Sequence, residues 1–400
     1  MPADLTAETD LRTVNARIAG AYDLVPFESP AIEAIDPAFV FGIGALYGVT
    51  PPAENFDALD LGCGTGAQLE HLARLTQGRL AGTDLSRSAC ERAKQRCAKF
   101  GARCNIVCAD FLDLDADTLG QFDLIYNVGV LYVTPPEVQR HILKLIAACL
   151  KPGGIAVISY YSGAHELLRS GLRAMLRLSI DPAASPPAQV QAAKARLHDI
   201  ARGLARQPGE HKSMLAILDQ ALARDDRIFF HEMLGHSTAM STSSLEEGLG
   251  AAGVHFLDWV IPAPIANVAS PRDRAVMADA TDLAGGGYHY AVFAKSDIVR
   301  SPSPRADRVR WHSRLVRADA QTEATFRDTA SGLTVKPNVV TEAALDVLAE
   351  RACDWRDLYL ATEQRLAARK KVVRDARGVL DQELLALWRH GLLTPRWSED

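Results

Sequence analysis

The feature that most constrains this chain is a short apolar run that passes into a glycine-rich turn, residues 58–66 with the sequence ALDLGCGTG. Glycine at alternate positions lets the backbone bend sharply and leaves room for a ligand to lie against it. A helix is predicted to follow over residues 67–75. A second apolar run ends at Asp84, where an acidic side chain can bond the two hydroxyls of a ribose. This pattern predicts a nucleoside-containing cofactor on an open α/β sheet.

The spacing of the glycines indicates which cofactor. Dinucleotide-binding turns place their glycines as G-x-G-x-x-G, so that a pyrophosphate rests on the helix N-terminus. This turn has G-x-G-x-G, and Asp60 stands two residues before the first glycine, where a carboxylate would repel a pyrophosphate but could receive an ammonium group. S-adenosylmethionine has an ammonium group and a ribose but no phosphate, and the alternative is a tight strand-to-helix turn without a ligand. We therefore predict S-adenosylmethionine as the cofactor, bound by Asp60, Gly62, Gly64, Gly66, Asp84 and Leu85.

Three later apolar runs extend the same sheet. Residues 106–108 precede Asp110 and Phe111, an acid and an aromatic that can bond the amine of adenine and cover its ring. Residues 122–126 precede Asn127, and residues 155–160 follow a Lys-Pro-Gly-Gly turn. The order of these pieces resembles the class I S-adenosylmethionine-dependent methyltransferases. The resemblance implies an α/β fold with a Rossmann-like sheet of seven strands, and a cofactor site that is completed by Asp110, Phe111 and Asn127.

Composition narrows the partners and the compartment. The net charge is −5 without an extended basic run, which makes nucleic acid an unfavourable partner. The seven cysteines form no C-x-x-C pair, so we expect neither a disulfide framework nor a metal site, and a reducing compartment. No signal pattern begins the chain, and no apolar run has membrane-spanning length. The prediction is a cytoplasmic protein that binds neither nucleic acid nor membrane, with an oligomeric state that the sequence leaves open.

The rhythm of strands and helices predicts two domains. Residues 1–298 are predicted to form the methyltransferase domain, with a helical insertion at about 162–238 that can roof an acceptor pocket. A Ser-Pro-Ser-Pro linker follows at 301–304. Residues 299–400 are predicted to form a small winged-helix-like accessory domain. Its expected strands are 309–316, 324–328 and 333–335, and its expected helices are 341–351, 355–370 and 381–390.

Several stretches together resemble a bacterial methyltransferase family with an appended regulatory domain, whose members include protein-lysine methyltransferases. The matching stretches include residues 22–27 (YDLVPF), residues 231–234 (HEML) and the closing helix near residues 384–392. The chain departs from the family pattern at residues 127–129, at Val133 and at Tyr161. These positions lie where the acceptor is expected, so the departures bear on lysine specificity more than on methyl transfer.

The acceptor side of the site is predicted from aromatic residues and one histidine. Tyr22, Tyr132, Tyr160 and His231 are expected to surround the methyl group and its target, because aromatic faces favour a cationic sulfonium or ammonium. Packing alone is the alternative role for the tyrosines, and a structural role is the alternative for His231. The leading hypothesis is transfer to nitrogen of a protein lysine or an amine. The alternatives are N- or O-methylation of a small molecule and a non-catalytic nucleoside-binding protein.

Overall fold

The computed structural model describes residues 11–52, 55–207, 209, 211–262, 270–282, 287–296, 301–318 and 325–398. The first half of the chain alternates helices with largely apolar strands, as a sheet covered on both faces requires. In chain order its elements are α1 (Leu11–Leu24), α2 (Pro37–Leu46), β1 (Ala58–Leu61), α3 (Ala67–Leu75), β2 (Leu80–Asp84), α4 (Arg87–Cys97), β3 (Cys104–Cys108), α5 (Ala116–Leu119), β4 (Phe122–Asn127), α6 (Pro136–Cys149) and β5 (Leu150–Tyr161).

A helical insertion follows the fifth strand, as predicted. It consists of α7 (Gly163–Ser179), α8 (Pro186–Ala205), α9 (Lys212–Leu222), α10 (Asp226–Phe229) and a π-helical turn at Phe230–Leu234. Its helices enclose a small apolar core of their own, which includes Leu176, Leu197 and Phe229. The insertion is therefore a packed unit that stands beside the sheet.

The sheet closes with α11 (Thr242–Gly250), β6 (Val254–Trp259), α12 (Pro271–Asp282) and β7 (Tyr288–Lys295). The strand order is β3-β2-β1-β4-β5-β7-β6, and β7 runs antiparallel to both of its neighbours. The predicted seven-stranded Rossmann-like sheet is confirmed. Because β7 is antiparallel, its first residues lie at the same edge as the carboxyl ends of the parallel strands, and Tyr288 pairs with Tyr161 there.

The described C-terminal residues, 301–318 and 325–398, form two small sheets and three helices. Their elements are β8 (Val309–Ser313), β9 (Leu315–Arg317), β10 (Phe326–Asp328), β11 (Thr334–Val335), α13 (Val339–Glu350), β12 (Cys353–Asp354), α14 (Trp355–Ala368), α15 (Ala376–Arg389) and β13 (Leu393–Trp397). The strands form the sheets β11-β10-β9 and β12-β8-β13. The winged-helix assignment stays a prediction.

Three features of this C-terminal part differ from the prediction. The single strand predicted at 309–316 is two strands in different sheets, with Arg314 between them. Strand β13 was not predicted because it is short and contains Pro395, a residue that normally argues against a strand. The last helix begins at Ala376, capped by the Asp375 side chain, and not at residue 381. The predicted domain boundary at 298–299 lies outside the described residues.

The C-terminal elements pack directly on α2. This helix is apolar on nearly all sides, and a side chain at Gly42 would collide with the Pro395 carbonyl of β13. Tyr47, which follows α2, lies edge-on to Trp388 of α15, with ring centroids 6.5 Å apart. The Ser303 amide donates to the Leu46 carbonyl at 2.8 Å. One hydrophobic core therefore runs from the large sheet through α2 into the C-terminal helices. Of the described helices, none combines the length and the apolar character that crossing a membrane requires.

Candidate cofactor and acceptor site

A cavity of about 450 Å³ opens at the carboxyl edge of the sheet, beside the parallel neighbours β1 and β4, from which the chain continues into opposite halves of the sheet. Ligands of open α/β sheets bind at this kind of switch point. Helix α1 covers one side of the cavity, and residues of the helical insertion cover another. The cavity has two chemically different halves, one next to β1 and β2 and one next to β4, β5 and β7.

The glycine turn forms the wall of the first half. Gly62 and Gly64 have φ of +91° and +51°, in the left-handed region that glycine adopts readily. A side chain at Gly62 would collide with Val130, whereas a Cβ at Gly64 would meet no described atom within 4 Å and would enter the cavity. The Gly64 amide donates to Asp84 Oδ2 at 2.8 Å, and the Ser86 amide donates to Asp84 Oδ1 at 2.9 Å. These bonds fix the Asp84 carboxylate at the cavity wall.

Asp60 is a buried carboxyl that lines the cavity without a partner. It is 5% exposed, and no described residue donates a hydrogen bond to its carboxylate. Burial, together with the nearby charge of Asp84, raises the pKa of Asp60 to about 7. Burial also raises the pKa of Asp84. An ammonium group beside Asp60 would supply the missing partner, so the residues present fit the predicted cofactor.

Three of the predicted cofactor residues do not line the cavity. Gly66 instead lets α3 begin close to α4, since its Cβ would lie 3.0 Å from Ala93 Cα. The Asp110 carboxylate is occupied by the Asn15 side chain, which donates to both of its oxygens at 2.9 Å, and Asn15 lines the cavity in its place. Asn127 is fully buried and donates to the Leu61 carbonyl at 2.9 Å. Leu85 and Phe111 do line the cavity.

Tyrosine rings enclose the second half of the cavity. Tyr132 lies edge-on to Tyr161 and to Tyr288, with ring centroids 5.0 and 5.8 Å apart, and Tyr290 lies edge-on to Tyr288 at 5.2 Å. Tyr22 of α1 adds a fifth ring. Tyr22 and Tyr132 were predicted here. Tyr161 was noted among the positions where the acceptor is expected, although not as a site residue. Tyr288 and Tyr290 were not predicted, because only the pairing of β5 with β7 brings them to this edge.

Tyr160 was predicted at the acceptor, but it does not line the cavity. Consecutive side chains of a strand point to opposite faces, so Tyr160 and Tyr161 lie on different sides of β5. The Tyr160 hydroxyl hydrogen-bonds with Thr242 Oγ1 at 2.6 Å and accepts from Trp259 Nε1 at 2.9 Å, within the core on the far face. Tyr161 lines the cavity instead.

His231 lines the second half of the cavity, and two contacts fix the orientation of its ring. Its ring stacks on Tyr22 with centroids 4.1 Å apart, and its Nε2 is 2.6 Å from the Val25 carbonyl oxygen. Since a carbonyl only accepts, Nε2 carries a hydrogen and donates it. Burial lowers the pKa of His231. The residue is therefore a neutral imidazole at pH 7 whose other nitrogen, Nδ1, has an available lone pair.

Glu232, which was not predicted, joins the insertion to this wall. Its Oε1 accepts from the Tyr161 hydroxyl at 2.9 Å, and its Oε2 accepts from Arg169 at 3.0 Å. The Arg169 guanidinium lies over the Tyr161 ring, 4.1 Å from its centroid. These contacts hold the Tyr161 ring in place from behind. Sequence spacing could not reveal them, because the three residues come from β5, α7 and the π-helical turn.

Helix α1 is tied across the cavity by polar contacts at both ends. At one end Asn15 binds Asp110. At the other end Asp23 accepts from Ser86 Oγ at 2.6 Å and from the Ser88 amide at 3.1 Å. Within the family-like stretch at residues 22–27, Tyr22 and Phe27 line the cavity.

Comparison with known proteins supports the interpretation of this site. Residues 58–154 match a family model described as "Methyltransferase domain". The uncharacterized protein RP028 of Rickettsia prowazekii is 32% identical over 159 residues, which cover 39% of this chain and 63% of that protein. A carboxy-S-adenosyl-L-methionine synthase of Sulfurimonas denitrificans is 33% identical over 116 residues, which cover 27% of this chain and 48% of that protein. The chain thus spans less than two thirds of these curated relatives.

A solved structure resembles nearly the whole chain. PKMT2 from Rickettsia typhi, in complex with AdoHcy, superposes with a TM-score of 0.77 at 21% identity, over 93% of this chain and 78% of that one. This likeness shows the fold. Because it covers 93% of this chain, it includes C-terminal elements as well as the large sheet and the helical insertion. Residues 58–154 thus match the methyltransferase-domain family model, and the chain has a Rossmann-like methyltransferase fold.

Proposed function

We propose that this chain transfers the methyl group of S-adenosylmethionine to the nitrogen of an amine, with a lysine side chain of a protein as the first candidate. The proposal rests on the tyrosine rings that enclose the second half of the cavity together with a neutral His231. In the first half lies the buried Asp60 carboxylate, to which no described residue donates a hydrogen bond. The name of the structural neighbour PKMT2 is consistent with lysine as the acceptor.

The cofactor would be held by the first half of the cavity. Asp60 would receive its ammonium group, and Asp84 would bond the ribose hydroxyls with the lone pairs that the Gly64 and Ser86 amides leave unused. Leu85 and Phe111 would lie along the adenine. When bound, the cofactor supplies an electrophilic methyl group on a sulfonium, so the protein has to align the acceptor and exclude water.

The second half of the cavity suits an amine. Ring faces attract a cation while removing it from water, which brings an ammonium-bearing side chain in. The amine then has to lose a proton before its lone pair can react. Nδ1 of His231 is the group that can accept this proton, because Nε2 is committed to the Val25 carbonyl and burial keeps the imidazole neutral. Glu232 is engaged by Tyr161 and Arg169, and its part is to hold the wall.

A small-molecule acceptor is the second candidate. The cavity volume of about 450 Å³ lies within the range of small-ligand pockets, and α1 closes over it. A lysine side chain enters such a cavity end-on, whereas a free metabolite has to be enclosed entirely. The two candidates therefore differ in which acceptors react, and the same cofactor site serves both.

The experiment combines binding with transfer. Calorimetry should show AdoHcy binding to the wild-type chain and a loss of roughly 1.5–3 kcal/mol in Asp84→Ala, the scale for hydrogen bonds to a charged group. The chain is then incubated with S-adenosylmethionine labelled in its methyl group and a library of lysine-containing peptides. The matched control is the same library with its lysines acetylated.

Three results separate the candidate functions. Label that enters the peptides and disappears after acetylation supports lysine. Label that enters only free amines or hydroxyl compounds favours the small-molecule alternative. AdoHcy binding without transfer to any acceptor would favour the non-catalytic alternative, and unchanged AdoHcy affinity in a folded Asp84→Ala variant would contradict the cofactor assignment itself.

A further inference from the structure

Thiols are concentrated beside the cofactor half of the cavity. Five of the seven cysteines lie between residues 63 and 108. Cys90 and Cys97 are seven residues apart on α4 and so share one helix face. Cys104 and Cys108 stand at the two ends of β3, which packs against α4. The facing surfaces of α4 and β3 thus carry two pairs of thiols, Cys90 with Cys108 and Cys97 with Cys104.

The first pair, Cys90 and Cys108, contacts the backbone of Asp84 and Leu85. We call these two residues the ribose-binding turn, after their proposed role. Cys90 Sγ lies 3.4 Å from the Asp84 carbonyl oxygen, and Cys108 Sγ lies 3.9 Å from the Leu85 carbonyl oxygen. Cys108 pairs with Asp84 across β2 and β3, and Cys90 Sγ also lies 3.9 Å from the carbonyl oxygen of Val107, the residue next to Cys108 in the chain. Cys90 is buried and Cys108 is exposed. An exposed thiol beside a buried thiol can be attacked from solvent and then resolved from within.

We propose that Cys90 and Cys108 form an oxidative modification site, at which a peroxide converts the two thiols into a disulfide and thereby weakens cofactor binding. The first half of this statement concerns the thiols alone. The second half rests on the proposed function, since it assumes that Asp84 and Leu85 hold the cofactor.

The chemistry balances with hydrogen peroxide as the oxidant. The Cys108 sulfur attacks peroxide, so an S–O bond forms, the O–O bond breaks and water leaves, which gives a sulfenic acid. The Cys90 sulfur then attacks the Cys108 sulfur, the S–S bond forms, and the departing hydroxide takes the Cys90 proton as a second water. Two thiols lose two electrons in total, and one peroxide gains them.

The disulfide would disturb the cofactor site because of where the two sulfurs lie. The two sulfurs have to approach to about 2.05 Å, so α4 and β3 must move towards each other. The Asp84 and Leu85 carbonyls contact these sulfurs, and both residues line the cavity. Because coupling between two sites is reciprocal, bound AdoHcy should in turn slow the oxidation.

The second thiol pair provides an internal control. Cys104 pairs with Leu80 at the start of β2, and Leu80 does not line the cavity, whereas Asp84, the partner of Cys108, does. The neighbouring Cys97 thiol lowers the pKa of Cys104, which makes this pair reactive as well. A disulfide there would lie at the far end of α4 from the ribose-binding turn, so the two oxidations should differ in their effect on the cofactor.

Two double variants separate the pairs. Cys97→Ser with Cys104→Ser retains the proposed site, and Cys90→Ser with Cys108→Ser retains the control pair. Each is treated with hydrogen peroxide, free thiols are blocked with N-ethylmaleimide, and peptide mass spectrometry locates the disulfide. Calorimetry measures the AdoHcy affinity before oxidation, after it and after reduction with dithiothreitol, and circular dichroism checks that the fold is kept.

The first variant should form the Cys90–Cys108 disulfide, lose about tenfold in AdoHcy affinity and recover on reduction, within the usual range for coupled sites. The second variant should keep its affinity. Free thiols at both positions under peroxide that oxidises the control pair would overturn the modification site, and a disulfide with unchanged affinity would overturn its effect. A reduced chain that binds no AdoHcy would refute the proposed function and the second half of this proposal, while the disulfide map still decides the first half.

Discussion

The unpartnered Asp60 carboxyl predicts a specific pH dependence of cofactor binding. Its pKa is raised from 3.8 to about 7 in the free protein because the carboxyl is buried and lies near Asp84. An ammonium group bound beside it favours the ionised form and lowers that pKa again. AdoHcy binding should therefore release a proton below pH 7, and the affinity should rise by up to about tenfold per pH unit between about pH 5 and 7. Above that range it should level off, and it should fall at higher pH once the α-amino group of the ligand loses its own proton.

The size of the effect follows from the shift. Moving the pKa from 3.8 to about 7 corresponds to roughly 4 kcal/mol of unfavourable interaction with the ionised carboxyl, and this is the most that the ammonium can restore. The same shift predicts the stability of the free protein. Since the folded state binds a proton more tightly than the unfolded state, the free energy of unfolding should decrease as pH rises from about 4 through 7.

Asp60→Asn tests both statements at once. The variant should lose the acidic limb of the binding profile and bind AdoHcy more weakly at pH 7.5, yet its free form should melt at a higher temperature than the wild type at pH 8. Calorimetry in two buffers with different ionisation enthalpies measures the released proton. Asp115→Asn is the matched control, because Asp115 is an exposed cap of α5 whose function asparagine can keep. Equal proton release in wild type and Asp60→Asn would refute the reasoning.

Three further predictions concern other parts of the structure. Gly64→Ala should remain folded but lose AdoHcy binding, because its Cβ points into the cavity and its φ is positive; a variant that binds normally would show that the cofactor does not approach this turn. Tyr161→Phe should lower turnover of a confirmed acceptor without changing AdoHcy affinity. Tyr160→Phe should mainly lower the free energy of unfolding, by about 0.5–1.5 kcal/mol. Kinetics and denaturant melts that show the reverse pattern would exclude our assignment of the acceptor side. Tyr47→Phe should destabilise the protein by about 1–3 kcal/mol, because it leaves the buried Asp258 carboxylate without the Tyr47 hydroxyl, and an unchanged urea midpoint would contradict this.

The cofactor half of the site could be predicted from sequence because it is local. Asp60, Gly62 and Gly64 are adjacent in the chain, and the spacing to Asp84 follows from one strand-turn-helix-strand unit. The order of apolar runs likewise indicated the sheet, since each run is long enough to be a buried strand. Fold and cofactor turn thus depend on short-range information, which a single sequence contains.

The acceptor half depends on information that the sequence does not contain. Choosing between Tyr160 and Tyr161 requires knowing which face of β5 meets the cavity, and a register error of one residue exchanges the two. Tyr288 reaches the site only because β7 inserts antiparallel between β5 and β6. Asp110 was assigned to adenine from its place at a strand end, but the Asn15 side chain of α1, far away in sequence, occupies it. These contacts arise from tertiary packing.

The position of α2 between the large sheet and β13 has a consequence for cooperativity. Eight of the ten residues of this helix are buried, so neither domain can release it without exposing apolar surface to water. The continuous core predicts that a chain ending near residue 297 is poorly folded. The 400-residue chain should therefore unfold in one calorimetric transition, and two separate transitions would show that the two parts are energetically independent. The C-terminal residues are thus an integral part of a single folding unit.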